Sequence, residues 1–265
     1  VYGRLTRMLG GSLRQIVSGG APLGERLAHF FRTVGITVYE GYGLTETCAP
    51  TACNRPGTEK IGTVGPALPA TSLAVSDAGE ILVKGPHLFR GYRGDPEATR
   101  AAFTDDGWFR TGDVGTIDAD GYLTITGRTK ELIVTAGGKN VAPAPLEDRL
   151  RGYPLVSQCV VVGDGRPYVA ALITLDPEML PGWLRGHDLP PMTVEQAALD
   201  EVVRASLERA VERANRAVSR AESIRRFQIL DWDFTEANGY LTPSLKVKRA
   251  KVLRDLAGAI DDLYA

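Results

Sequence analysis

The order strand, helix, strand near the start of the chain constrains the fold more than any other feature of the sequence. Leu13 to Val17 is a short apolar run, and the turn residues Ser18 to Pro22 follow it. Leu23 to Val34 carries apolar residues at helical spacing, and Ile36 to Tyr39 is β-branched and aromatic, as strands are. This order predicts a βαβ unit whose two strands pair in parallel.

The pattern changes after this unit. From about Ile61 to Thr126, short apolar runs such as Ile81 to Val83 are broken by Gly, Pro and Asp, which predicts a β-rich subdomain. A boundary is expected near Gly127. Residues 1–127 are therefore predicted to belong to one domain and residues 128–265 to a second, smaller one.

The smaller domain has an α+β pattern. Its predicted elements are a helix from Pro145 to Leu150, an antiparallel strand pair at Val156–Val162 and Tyr168–Leu175, a connection from Pro177 to Pro191, a long amphipathic helix from Ala198 to Arg220, a strand from Ile224 to Leu230 and a terminal helix from Lys248 to Tyr264. The polar face of the long helix alternates Arg and Glu, which favours a solvated face over contact with lipid or CoA phosphates.

Charge and composition exclude several classes of protein. The 31 basic and 32 acidic residues give a net charge of -1, so nucleic-acid binding is not expected. No apolar run approaches the roughly 20 residues that span a bilayer. Three cysteines and three histidines, not at metal-ligand spacing, favour a reduced, cytoplasmic protein without a zinc site. The first residue, Val1, is compatible with a start inside a longer protein.

A polar hexapeptide, Tyr42 to Thr47, follows the second predicted strand, and ligands commonly bind at strand ends of α/β sheets. Tyr42 offers a flat face for a nucleobase, Thr45 a hydroxyl for a phosphate oxygen, and Glu46 a hard oxygen ligand for Mg²⁺. Taken alone, the segment could equally be an aromatic turn in a core.

Three later segments also carry residues suited to chemistry. Asp113, after a Thr-Gly turn, could face two vicinal hydroxyls or form an Asx-turn. The pair Gly137-Gly138 would let a backbone approach a ligand closely. Lys246, in the basic segment Leu241 to Arg249, could reach developing negative charge or simply start a charged helix.

The order, spacing and residue types of these segments, from Ser18 to Arg249, resemble those of the adenylate-forming superfamily, which includes acyl-CoA synthetases, luciferases and peptide-synthetase adenylation domains. Ala136 to Pro143 and Leu241 to Arg249 are similar to the long-chain fatty-acid–CoA ligase branch. The resemblance implies an α/β and α+β fold. It would comprise the C-terminal part of the large AMP-binding domain, with its βαβ segment and β-rich subdomain, and a small mobile domain with an inserted long helix.

The resemblance also implies a reaction. ATP and a fatty acid would form acyl-AMP and pyrophosphate, with Mg²⁺ neutralising charge, and CoA would then accept the acyl group. In the large domain the implied binding residues are Gly19, Gly20 and Ala21 on one wall of the adenine slot, Tyr42 on the other, Glu40 and Gly41 at the acyl side, Thr45 at the α-phosphate, Glu46 at Mg²⁺, and Asp113 and Arg128 at the ribose.

The small domain would contribute mobile groups. Lys246 would bridge the carboxylate and the α-phosphate, and the Gly137-Gly138 loop would meet the pantetheine arm of CoA after the domain rotates about a hinge at Lys130. Many relatives have glycine before this lysine, where the chain has Leu245.

One departure from the family concerns length. The family's Ser/Thr/Gly-rich phosphate loop, expected far upstream of Ser18, lies outside the chain, so the chain is predicted to be an incomplete ligase that is inactive or weak alone and needs that N-terminal segment. Two alternatives stay open: a fatty-acyl-AMP ligase that loads a carrier protein, and a non-catalytic nucleotide-binding or interaction fragment. The lipid-like substrate also leaves peripheral membrane contact open.

Overall fold

The computed structural model describes residues 2–265, which form two compact units. The first unit extends to Lys130 and the second begins at Glu131. The sequence predicted the change of domain slightly earlier, after residue 127. The mixed α/β and α+β fold class expected from the sequence is confirmed, and each unit is described here by itself.

The first unit joins a parallel strand pair to an antiparallel sheet. Its elements are α1 (Tyr2–Met8), β1 (Gln15–Gly19), α2 (Glu25–Thr33), β2 (Thr37–Leu44), β3 (Ala49–Cys53), β4 (Ser72–Val75), β5 (Glu80–Lys84), α3 (Pro96–Ala101), β6 (Phe109–Ile117) and β7 (Leu123–Arg128). Strands β1 and β2 pair in parallel, as the βαβ pattern predicted. Strands β4 to β7 form an antiparallel sheet in chain order, and Ile81, Val83, Phe109 and Leu123 fill its core.

Strand β2 is longer than predicted, because it continues past Tyr39 to Leu44. The extension pairs with β3, a short antiparallel strand that the sequence did not reveal. The prediction that Tyr42 follows the strand is therefore wrong. Parallel pairing with β1 nevertheless ends at Gly41, so Tyr42 is the first residue beyond the parallel part of the sheet.

The second unit is built around one three-stranded sheet. Its elements are β8 (Ile133–Val134), β9 (Asn140–Val141), α4 (Ala144–Arg151), β10 (Val156–Val162), β11 (Val169–Leu175), α5 (Leu180–Arg185), α6 (Val194–Leu199), α7 (Glu201–Asn215), β12 (Ile224–Leu230), α8 (Arg249–Asp255) and α9 (Ala257–Asp262). The predicted antiparallel pair β10–β11 is confirmed, and β12 joins β11 in parallel.

The central strand β11 is buried along its whole length, and its side chains alternate between two apolar clusters. Ala171 and Ile173 pack in the cluster that contains residues of α4 to α7. Ala170 and Leu172 pack in the cluster that contains residues of α8 and α9. Because successive side chains of a strand point to opposite faces, the sheet has helices on both sides.

The prediction of a single long helix from Ala198 to Arg220 is wrong at both ends, because the long helix α7 covers only Glu201–Asn215. Asp200 has an extended backbone (ψ 131°), and its carboxylate accepts hydrogen bonds from the N–H groups of Val202 (2.9 Å) and Val203 (3.0 Å). Asp200 thus caps α7 and separates it from α6. Leu199, which lies inside the predicted helix, is the last residue of α6 and is 87% exposed.

The terminal helix predicted from Lys248 to Tyr264 bends into α8 and α9. Leu256, between them, has φ -108° and ψ 24°, outside the helical region. Its N–H still donates to Val252 O and its carbonyl accepts from Ile260 N, so the chain bends without losing backbone pairing. The bend lets both Val252 and Ile260 join the apolar cluster under the sheet.

Among residues 2–265, no helix combines the length and apolarity that crossing a membrane would require.

Candidate active site

The first group of predicted site residues lies where the parallel pairing of β1 and β2 ends. Gly19 is opposite Gly41, and a Cβ on Gly19 would lie 3.2 Å from the Gly41 carbonyl oxygen. Gly20 has φ +81°, in the region where glycine carries no steric penalty. The two glycines therefore let the chain turn sharply and closely against β2, and Ala21 continues this turn.

Glu40 lies under the same turn and is 8% exposed. Its carboxylate accepts a hydrogen bond from the N–H of Leu23 at 2.8 Å. Glu40, which the resemblance places at the acyl side, thus also fixes the turn that contains Gly20 and Ala21. A buried carboxylate is stable only where it has such hydrogen-bond partners.

Tyr42, Asp113 and Arg128 converge, although they are distant in sequence. The Tyr42 hydroxyl donates to Asp113 Oδ2 at 2.6 Å, and Arg128 Nε lies 3.0 Å from Asp113 Oδ1. Asp113 and Arg128 are directly paired on β6 and β7, which explains their proximity. The Asp113 residue is 4% exposed, whereas the Arg128 side chain is 59% exposed.

The environment of Tyr42 keeps its hydroxyl protonated. Burial first, and the neighbouring Asp113 carboxylate second, raise the pKa of Tyr42 far above its ordinary value. The phenol therefore stays a hydrogen-bond donor over the whole physiological pH range. The ring also packs against the apolar core of the antiparallel sheet.

Thr45 and Glu46 lie in a 3₁₀ turn, Thr45–Thr47, that directly follows β2. Thr45 is exposed, and Thr47 is buried with its hydroxyl bonded to the backbone of Leu44. The turn is followed by Cys48 in a left-handed conformation, φ 51°. Along this turn, Thr45 is therefore open to solvent, Glu46 is partly exposed and Thr47 is buried.

The segment that contains Phe89 and Tyr92 forms hydrogen bonds with both the backbone and the side chain of Glu46. The N–H of Phe89 donates to Glu46 O at 2.8 Å, and the Tyr92 hydroxyl donates to Glu46 Oε1 at 2.9 Å. Burial and the bond to Glu46 raise the pKa of Tyr92. Sequence reasoning missed this contact, because Glu46 and Tyr92 lie in a turn and a loop that are 46 residues apart in the chain.

The single carboxylate of Glu46 suits a metal ion that takes most of its other ligands from water or substrate. Among residues 2–265, no group of three or more His, Cys, Asp or Glu side chains could hold a metal ion. Mg²⁺ differs from other common metals in keeping several waters and substrate phosphates beside one or two carboxylates. A single carboxylate such as Glu46 fits that ion, with ATP supplying further oxygens.

In the second unit, Gly137 and Gly138 form the tip of the β8–β9 hairpin. Gly138 has φ +75° and its N–H donates to Thr135 O at 2.8 Å, so glycine suits this turn. Next to the tip, Lys139 Nζ lies 3.2 Å from Glu222 Oε1. The hairpin tip is thus a defined turn and not a loose loop.

Lys246 lies on another hairpin of the second unit. Leu241 and Val247 form an antiparallel bridge, and the N–H of Thr242 donates to Lys246 O at 2.8 Å. The N–H of Lys246 donates back to Thr242 Oγ1 at 3.1 Å, and the N–H of Leu245 closes the turn on Thr242 O at 2.8 Å. Lys246 is therefore the first residue after the hairpin turn, and it is exposed.

Leu245 has φ +59°, a left-handed conformation that is rare for side chains other than glycine. A left-handed residue after a turn is the normal geometry of a three-residue hairpin loop. This explains why glycine suits the position before the lysine. The Leu245 side chain is also 68% exposed, so burial does not offset the strain.

The predicted hinge, Lys130, lies in an exposed 3₁₀ turn, Thr129–Glu131, and is the last residue of the first unit. In that unit Gly19, Gly41 and Tyr42 lie where the parallel pairing of β1 and β2 ends, and Tyr42 contacts Asp113, which pairs with Arg128 across β6 and β7. Gly137, Gly138 and Lys246 belong to the other unit, on two separate hairpins.

Comparison with known proteins agrees with these motifs. The family model described as AMP-binding enzyme matches residues 4–93, and the one described as AMP-binding enzyme C-terminal domain matches residues 130–265. The chain belongs to the AMP-binding enzyme family.

Among curated proteins, the chain is similar to a long-chain-fatty-acid–CoA ligase, FadD15, from Mycobacterium bovis, with 55% identity over 265 residues. This alignment covers 100% of the chain and 44% of the relative, so the chain spans less than half the relative's length. A long-chain-fatty-acid–CoA ligase from Homo sapiens, ACSBG1, is 35% identical over 93% of the chain and 37% of its own length.

A solved structure, the A domain of carboxylic acid reductase from Segniliparus rugosus in complex with AMP and a co-purified carboxylic acid, matches with a TM-score of 0.78 and 27% identity. The match covers 99% of the chain and 41% of that structure.

Proposed function

We propose that the chain is part of a long-chain fatty-acid–CoA ligase that works through acyl-AMP. The observation that carries the proposal is the convergence of Tyr42, Arg128 and the buried Asp113 carboxylate beside the end of the parallel β1–β2 pairing. The similarity to named long-chain-fatty-acid–CoA ligases over the whole chain supports the substrate class.

In this proposal the first unit binds the nucleoside. An aspartate carboxylate can accept hydrogen bonds from two vicinal hydroxyls, and the exposed Arg128 guanidinium adds donors beside it. The Tyr42 ring would stack on the adenine, opposite the backbone of Gly19, Gly20 and Ala21. Because Asp113 already accepts a hydrogen bond from Tyr42 and forms an ion pair with Arg128, the carboxylate is oriented before the ribose arrives.

Thr45 and Glu46, in the turn after β2, would serve the phosphates in different ways. Thr45 offers an exposed hydroxyl to the α-phosphate. Glu46, oriented by Tyr92, would hold Mg²⁺, which would neutralise phosphate charge when bound. Glu40 and Gly41 would border the acyl group.

Lys246 would act in the first half-reaction, where the fatty-acid carboxylate meets the α-phosphate. Both groups are anions, so a cation between them lowers the energy of their approach. For the second half-reaction, rotation about Lys130 would replace Lys246 with the Gly137-Gly138 hairpin, whose tip would leave room for the pantetheine arm of CoA.

The test compares two half-reactions in the natural full-length protein. Lys246→Ala should abolish fatty-acid-dependent acyl-AMP formation, measured by pyrophosphate exchange, and should spare thioester formation from supplied acyl-AMP. Lys248→Ala removes a cation from the same segment and should leave both rates intact. Equal loss of both half-reactions in Lys246→Ala would contradict the role given to this lysine.

The acceptor is tested separately, by supplying CoA and a pantetheine-bearing carrier protein to the same enzyme. Acyl-CoA should be the product, and transfer to the carrier alone would identify an acyl-AMP ligase. Pyrophosphate exchange by the 265-residue chain alone should be weak or absent. Robust exchange would show that the chain needs no further segment, and absence of exchange from the full-length protein would favour a non-catalytic module.

A further inference from the structure

The hairpin that carries Lys246 is held to the body of the second unit at its exit. The N–H of Lys248 donates to Tyr240 O at 2.8 Å, which completes the pairing of the two hairpin arms. Helix α8 begins at the next residue, Arg249. Arg249 therefore lies at the point where the exposed hairpin becomes buried structure.

Arg249 joins three elements of the second unit through one guanidinium. Its Nη1 donates to Glu147 Oε1 on α4 at 2.6 Å, and its Nη2 donates to the Val161 carbonyl on β10. Glu147 Oε1 also accepts the N–H of Val161 at 2.8 Å. Each of the three residues is thus bonded to the other two.

The ion pair between Arg249 and Glu147 is less exposed to solvent than the others. The Arg249 and Glu147 side chains are 17% and 12% exposed, and no other ion pair among the described residues has both partners so little exposed. On α8 itself, Lys251 pairs with Asp255 four residues away, with exposures of 31% and 24%. The Lys251 pair joins positions within one helix, whereas the Arg249 pair fixes the helix to the sheet and to α4.

The planar guanidinium restricts direction as well as distance. Two donors on one rigid fork, aimed at a carboxylate and at a carbonyl, fix the first turn of α8 in rotation. Only Val247 and Lys248 separate Arg249 from Lys246, and Val247 packs against the same apolar cluster as Val252. A rotation of α8 at Arg249 would therefore move the lysine.

We propose that Arg249, through Glu147 and Val161, is the positioning residue for Lys246 in acyl-AMP formation. The inference rests on the proposed function, because it assumes that Lys246 acts in the first half-reaction. Arg249 itself need not touch substrate. Its loss would leave the Lys246 side chain present but misplaced, and a misplacement on the order of 1 Å can lower a rate by about 100-fold.

The experiment uses Arg249→Met and Arg249→Lys in the natural full-length protein, with Lys251→Met as the matched control on α8. Arg249→Met should lower acyl-AMP formation by about 100-fold and leave thioester formation from supplied acyl-AMP near the wild-type rate. Arg249→Lys should recover part of the loss, because it keeps the charge without the fork. Lys251→Met should behave as wild type.

Hydrogen exchange supplies a readout independent of activity. The amides of Lys246 and Lys248 should exchange faster in Arg249→Met and Arg249→Lys than in Lys251→Met. Unchanged exchange, or equal loss of both half-reactions, would overturn the inference while leaving the proposed function standing. If Arg249→Met does not fold, the same comparison is decided by Arg249→Lys. A wild-type protein that forms no acyl-AMP would overturn the proposed function, and the inference with it.

Discussion

At the scale of the residue, Leu245 has a backbone conformation in the second unit that is unfavourable for leucine. The hairpin turn requires a left-handed residue at this position, and leucine meets that requirement with φ +59°. A left-handed conformation costs a residue with a Cβ roughly 1–2 kcal/mol. Because the side chain is 68% exposed, contacts within the unit recover little of this cost.

Replacing Leu245 with glycine should therefore stabilise the second unit by about 1 kcal/mol, after allowance for the greater unfolded-state entropy of glycine. Chemical denaturation followed by circular dichroism measures the change. Leu245→Ala is the control, because it removes the exposed side chain and keeps the Cβ. A gain in Leu245→Ala equal to that in Leu245→Gly would show that exposure of leucine, and not backbone strain, is the cost.

Site residues show how far sequence reasoning reaches. Tyr42, Asp113 and Lys246 could be selected because each belongs to a short motif whose residue types suit one chemical task. The bond between Tyr42 and Asp113 could be expected only through the family resemblance. The Tyr92–Glu46 hydrogen bond was missed, because a single bond between distant segments produces no periodic pattern in the sequence.

At the scale of the element, the boundary between α6 and α7 depends on Asp200. Its carboxylate accepts the N–H groups of Val202 and Val203, which would otherwise lack partners at the start of α7. The buried face of α7 then contains Val203, Leu207 and Ala210. The cap therefore sets where the amphipathic helix begins and which residues it buries.

Asp200→Ala should cost about 1 kcal/mol of stability, the usual effect of losing an N-cap. Thermal and denaturant unfolding of the second unit's helices, followed in the far ultraviolet, would measure it. Asp200→Asn keeps an oxygen acceptor at the cap and should lie close to wild type. A loss as large in Asp200→Asn would point to the charge, through the helix dipole, as the dominant effect.

Elements were predicted well where apolar periodicity was strong and poorly where a local polar residue changed the path. Strands β10 and β12 were predicted with their observed bounds, because each begins and ends with apolar residues of high strand propensity, such as Val156 and Ile224. The predicted helix from Ala198 ran through Asp200, because the apolar periodicity of a sequence does not show where a capping residue ends one helix and starts the next. Strand β3 was missed, since its Ala, Pro and Cys residues have weak strand propensity.

At the scale of the whole molecule, the two compact units meet in sequence at an exposed segment. Residues 128–131 are all exposed, and Lys130 is a trypsin site between the units. Connections between domains are commonly cut first, because few contacts restrain their backbone. The proposed hinge and a protease-sensitive linker would then be the same segment.

Brief trypsin digestion should therefore cut first within residues 128–131, after Lys130 or Arg128, and intact mass identifies the fragments. Lys130→Gln should remove the fragments that end and begin at Lys130 and leave those cut after Arg128, with Lys84→Gln as a control inside the antiparallel sheet. Cleavage that begins instead within residues 176–193 would place the more mobile connection inside the second unit.

The parallel pairing of β11 with β12 has a consequence for the time course of folding. Strand β10 can pair with β11 across a short loop, but β12 reaches the other edge of β11 only after residues 176–223 have been made and folded back. Long-range parallel pairing forms late, because loop closure must precede its contacts. During synthesis, the edge of β11 that later pairs with β12 therefore keeps its backbone N–H and C=O groups unpaired while α5, α6 and α7 leave the ribosome. In that interval the second unit is most exposed to aggregation and to chaperone binding.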